Sequence, residues 1–107
     1  MITELDEAIA VRDLRLKLDE FLMYGDAVPP YMHASIIAYV VAGVPTGEFL
    51  QGIITKDLGK CISHADSTNI RLLHVYYGFF YNHTPAPCWG DKVKMNNWIK
   101  IRGLLGE

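Results

Sequence analysis

"DSTNIRLLHVYYGFFYN", residues 66–82, decides the fold. Asp66 or Ser67 supplies a helix N-cap, because a short side-chain oxygen can accept from the free N–H groups of a first turn. After it, Ile70, Leu72, Leu73, Val75, Tyr76, Tyr77, Phe79, Phe80 and Tyr81 leave almost no polar face. A helix apolar nearly all round belongs in the middle of a domain. The rest of the chain must then wrap it.

The flanking segments read as helices of the right kind. Before it, "VPTGEFLQGIITKDLGKCISHAD" carries a stripe of Phe49, Leu50, Ile53, Ile54, Leu58, Cys61, Ile62 and Ala65, and is expected as one helix. "AVPPYMHASIIAYVVAG" opens on Pro29 and Pro30, which pre-set a first turn, and stops at Gly43. Its "IIAYVV" core also suits a strand, since β-branched residues favour strands. The Pro start and Gly stop favour a helix. Near the N-terminus, Thr3 and Asp6 resemble a capping box ahead of Leu5, Ile9, Val11, Leu14, Leu18, Phe21 and Leu22, with a stop expected at Gly25. After the central helix, "YNHTPAPCWGD" is a Pro-stiffened reversal. Trp89 is expected to anchor it on the core with its indole N–H bonded to a carbonyl, and Asp91 to cap a last helix ending at Gly103. The expected fold is all-α: a compact single-domain bundle of about five helices with short connectors, residues 1–107, of which 1–26 form an acidic first helix.

Composition narrows the function. The 107 residues are half hydrophobic and 21% charged, the balance of a globular domain. The net charge of −2 gives no general attraction to nucleic acid or to anionic membrane, so no DNA or RNA polymer is expected as a partner. No apolar run approaches a membrane-spanning length, and the acidic start does not resemble a secretory leader. Charge is uneven. Residues 1–26 hold seven acids against Arg12, Arg15 and Lys17, while residues 92–102 hold Lys92, Lys94, Lys100 and Arg102 without an acid. These are either two solvated faces that touch each other or the complementary ends of associating copies.

Candidate ligand groups sit on and beside the central helix. Ser67, Arg71, His74, Gly78 and Asn82 recur at helical spacing and form one polar stripe, with Gly78 leaving a notch. The stripe either faces water or lines a groove offering Arg71 to an anion, since a guanidinium fork makes two parallel bonds to phosphate. Asp57 lies at the edge of its helix's apolar stripe. It either accepts from a helix N-terminus or from Arg71, or it accepts from a ligand's base or hydroxyl. Asn69, Tyr81, Asn82 and Trp89 add amide readers and aromatic faces. No histidine pair has zinc spacing, so no metal is expected. Cys88 and His83 share a loop, but no third group orients them. There is no phosphate-cradling Gly-rich loop, no Gly-x-Ser-x-Gly and no paired catalytic carboxylates, so neither catalysis nor a cofactor is expected.

Residues 29–99 resemble a widespread group of small phage and prophage proteins. The likeness rests on Gly47, Phe49, Leu50, Asp57, Leu58, Ala65, Asp66, Asn69, Tyr81, Asn82, Pro85, Lys92, Val93 and Trp98, and above all on Cys88-Trp89-Gly90. Lys56 stands where the pattern has Asn, and Asp91 where it has Ser. The resemblance implies a viral protein in the cytoplasm of an infected bacterium and carries no activity. Small phage proteins of this kind suggest an anti-defence role: a homo-oligomer that sequesters a host nucleotide signal without cleaving it. The alternative is an inhibitor or adaptor that acts on a host protein through a helical surface.

Overall fold

The computed structural model describes residues 3–106, so residues 1 and 2 of the expected first helix and residue 107 lie outside it. Six α-helices follow in order: α1 (Glu4–Glu20), α2 (His33–Ala42), α3 (Glu48–Thr55), α4 (Leu58–His64), α5 (Leu73–His83) and α6 (Lys92–Lys100). Short 3-10 turns precede α2, α5 and α6 and follow α6. A radius of gyration of 13.2 Å matches the roughly 13 Å of a packed domain this long. No helix among the described residues is long and apolar enough to cross a membrane.

α5 is the central helix. Val75, Tyr76, Phe79 and Phe80 are essentially fully buried, and α1, α2, α3, Cys61 of α4, Met95 and Trp98 of α6, Val28 and the reversal after α5 contribute the remainder of the core. Rings interlock there edge to face, Phe49 on Tyr76 at 5.1 Å and Phe21 on Phe79 at 5.8 Å, an arrangement that adds attraction beyond area burial. The capping box at Thr3 and Asp6 forms with both reciprocal bonds. Asp91 caps α6 by accepting from the Lys94 N–H at 2.8 Å.

Two helices end where the sequence pattern does not put them. α1 stops at Glu20 rather than at Gly25. Phe21 and Met23 are drawn onto α5 instead, and Tyr24 and Gly25, both at positive φ (53° and 82°), turn the chain between paired Met23 and Asp26. Two successive positive φ values make this a hairpin turn of the primed type. The expected single helix over 45–66 is two. Lys56 adopts a left-handed φ of 58°, and the Asp57 N–H reaches back to the Gly52 carbonyl at 2.8 Å, a Schellman ending for α3. Asp57 then caps α4, accepting from the Lys60 N–H at 3.0 Å. It is an exposed cap, not a carboxylate at the edge of one long apolar stripe.

The C-terminal segment closes the bundle against α2. Trp98 donates its indole N–H to the carbonyls of Tyr39 (3.1 Å) and Val40 (3.2 Å) in the last turn of α2. This is the indole bond expected of Trp89. Gly103 then crosses Gly43 backbone to backbone: a Cβ on Gly103 would lie 2.7 Å from the Gly43 nitrogen and 2.8 Å from the Val40 oxygen. Neither neighbour is a side chain that can swing away. Gly103→Ala is therefore expected to cost roughly 2–4 kcal/mol, combining overpacking with a left-handed alanine. Urea denaturation measures it, and a loss within error of zero would show that the crossing is looser than described.

Candidate functional site

The polar groups read along the central helix do not form one stripe. Residues 69–72 are a 3-10 turn, so α5 begins at Leu73 with a changed phase. The hairpin after α1 runs across the expected notch: a Cβ on Gly78 would meet the Met23 sulfur at 2.8 Å. Asn82 lies one turn beyond, and its side-chain N–H bonds the Gly78 carbonyl at 2.8 Å.

Three of the expected ligand readers serve the fold. Asn69 is 4% exposed, and its side-chain oxygen accepts from the Tyr76 hydroxyl at 2.6 Å and from Tyr31 at 3.4 Å. Trp89 is buried between Tyr77 (4.8 Å, edge to face) and Phe80 (5.8 Å), with the Lys56 ammonium 4.8 Å from its ring. Asp57 caps α4. Tyr81, by contrast, is 72% exposed on the last turns of α5, away from the other candidates in any shared cavity.

Asp66 builds the entrance to α5. Its carboxylate accepts from the N–H groups of Thr68 (3.0 Å) and Asn69 (2.7 Å) and from the Tyr31 hydroxyl (2.9 Å). Those bonds, the Asn69 N–H first, hold its carboxyl below the ordinary carboxylate range, and the same contact raises Tyr31. Both cysteines are buried, which favours the thiol over the thiolate. Burial pushes the Cys88 thiol up to about 11 and raises Cys61 as well. The His83 ring packs instead against Phe21 (5.2 Å) and Phe79 (5.5 Å). Among the described residues no three His, Cys, Asp or Glu side chains converge as a metal site requires.

Three of the surface hollows bear on the expected ligand groups. An apolar slot of about 140 Å³ between α3, α4 and α5 is lined by Ile53, Leu58, Cys61, Leu73 and Tyr77, with Lys56 at its rim. That is benzene-sized and too small for a nucleotide. A groove of about 520 Å³ between α3 and α6 includes Gln51, Asp57, Lys60 and Lys92. Its Lys60 is committed to Glu48 at 3.1 Å and Gln51 at 3.0 Å, and no aromatic ring lines it. The third, about 380 Å³, is lined by Asp26, Thr68, Arg71 and Leu72, within the size range of small-molecule sites.

That third hollow sets one sequence candidate, Arg71, beside Asp26 and Thr68, which the sequence did not single out. Arg71 is exposed, and among the described residues no carboxylate lies within ion-pairing distance of it. His74 holds Asp26 at 3.0 Å. Tyr24, 90% exposed at the hairpin tip, places its ring 6.1 Å from the His74 ring. A guanidinium, a hydroxyl and an anchored carboxylate therefore line one hollow, and the Tyr24 and His74 rings lie beside its Asp26. The chain matches no protein-family model, no curated protein and no solved structure.

Asp66 gives this region a pH signature. Its lowered carboxyl contributes stability that is present above the ordinary carboxylate range and lost as pH falls through the lowered folded value. Asp66→Asn should melt earlier than wild type at neutral pH, and the difference should shrink as pH drops from ~5 to ~2. Thermal melts across that range check it.

Proposed function

We propose that this chain is a non-enzymatic, phage-encoded accessory protein that binds and sequesters a nucleotide-type anion as a homo-oligomer, in the cytoplasm of an infected bacterium. The observation that carries the ligand class is the Arg71 hollow. A guanidinium with no carboxylate partner among the described residues suits phosphate, because its planar fork meets two oxygens at once. The exposed Tyr24 ring offers a face on which a base stacks, and stacking tolerates any base. Asp26, oriented by His74, accepts from hydroxyls of a sugar. The viral setting comes from the resemblance of residues 29–99 to phage proteins. The holding groups of this inventory support sequestration rather than turnover.

A second reading has one observation in its favour. α1 turns an apolar row outward, with Leu5 69% and Leu16 50% exposed, which suits a protein partner. On that reading the chain inhibits or adapts a host protein through a helical surface.

Arg71→Ala separates the two. Loss of a charge-assisted contact worth about 1.5–3 kcal/mol lowers nucleotide affinity roughly 10–100-fold. Helix content should not change, since Arg71 is exposed. Calorimetric titration with mono- and cyclic nucleotides, with mass analysis of the recovered ligand, provides the measurement. Unchanged affinity, or a cleaved ligand, would overturn sequestration at this hollow.

A further inference from the structure

α1 has two apolar faces, and the fold uses one. Leu14 and Leu18 are buried, and Ala10 and Val11 join them against the core. On the far side, Leu5, Ile9 and Leu16 are 69%, 39% and 50% exposed. At ~100° per residue these three fall within about 40° of one another, roughly opposite the buried face. Arg12 lies in the same row. The exposed row is thus a narrow seam along a helix about 25 Å long, the geometry of a helix made to pair.

We propose that the seam pairs with the same seam of a second copy, antiparallel, across a twofold axis near the middle of α1. Charge selects both the occupant and the direction. The first turn of α1 carries Glu4, Asp6 and Glu7, while Arg12, Arg15 and Lys17 follow later. A parallel pair sets acids against acids and bases against bases. An antiparallel pair that places Leu5 opposite the partner's Leu16 brings Asp6 beside Lys17 and Glu4 beside Arg15. The flanks agree as well. Asp6 and Lys17 lie on one side of the seam and Glu4 and Arg15 on the other, and in an antiparallel pair like flanks meet. Twofold symmetry makes each contact twice. The later acids are partly engaged within the chain: Asp13 lies 3.9 Å from Arg12, and Asp19 lies 3.6 Å from His33. Among the described residues no ion pair joins the basic surface of α6 to α1 within the chain.

This deepens the self-association in the proposed function and is independent of the ligand. Sedimentation equilibrium of the full chain, from low to high micromolar concentration, should move from the 12.1 kDa chain mass to twice that value. Leu16→Glu, at an exposed position, should hold the monomer mass with unchanged helix content. Arg15→Glu should weaken pairing roughly 5-fold or more, and adding Glu4→Arg should restore it. A monomeric wild type, a dimeric Leu16→Glu, or a charge swap without recovery overturns the pairing. A monomer that still binds nucleotide does so while leaving the Arg71 site standing.

Discussion

The carbonyl of Cys88 sits in the interior between α5 and α6, and something must donate to it, because a buried carbonyl without a partner is costly. The Tyr39 hydroxyl does so at 2.6 Å, reaching from the middle of α2. Two residues on, the Gly90 N–H donates to the Ile54 carbonyl at the end of α3, at 2.7 Å. Between them Trp89 packs edge to face on Tyr77 and tilted on Phe80 of α5. One irregular stretch of chain therefore ties α2, α3 and α5 together and sets where α6 starts. Burial of the Tyr39 hydroxyl raises it above the usual phenol range, which favours the protonated donor. This is why so many unusual residues crowd into one connector. The prolines stiffen it, the tryptophan seats it, and Gly90 takes a backbone angle of φ 132°.

Where local chemistry decides, the sequence was readable. The Thr3–Asp6 box, the Asp91 cap, the Gly43 stop and the greasy run of α5 each depend on neighbours within a turn or two, and each forms. Where packing decides, it was not. Phe21 and Leu22 continue the helical spacing of α1, but Phe21 leaves the helix because its ring finds Phe79 and His83. The break at Lys56 has no glycine to announce it. A left-handed lysine is a poor choice on propensity, offset by an ammonium lying over Tyr77 and Trp89. An Asn at that position, as in the resembling phage pattern, would have marked the turn more plainly. The exchange of roles between the two tryptophans was also out of reach, since it depends on which one passes the end of α2.

The hollow at Arg71 was half legible for the same reason. Arg71 and His74 stand out as charges on an apolar element. Tyr24 and Asp26 did not, because Gly25 read as the end of a helix instead of the second residue of a tight turn. That turn delivers an aromatic ring and a carboxylate to the His74 side of α5. Asn69 shows the opposite error. An amide in a polar cluster reads as a ligand contact, yet here it answers a buried phenol.

The crossing of Gly103 over Gly43 has a consequence for how the protein is made. Ribosomes release the chain from its amino end, so α2 emerges long before the segment that covers its last turn. Until residue 103 has been synthesised, Val40 and Val41 lack their lid and the Tyr39 and Val40 carbonyls lack the Trp98 indole. The last turn of α2 therefore completes its native packing only when the final stretch of the chain is in place.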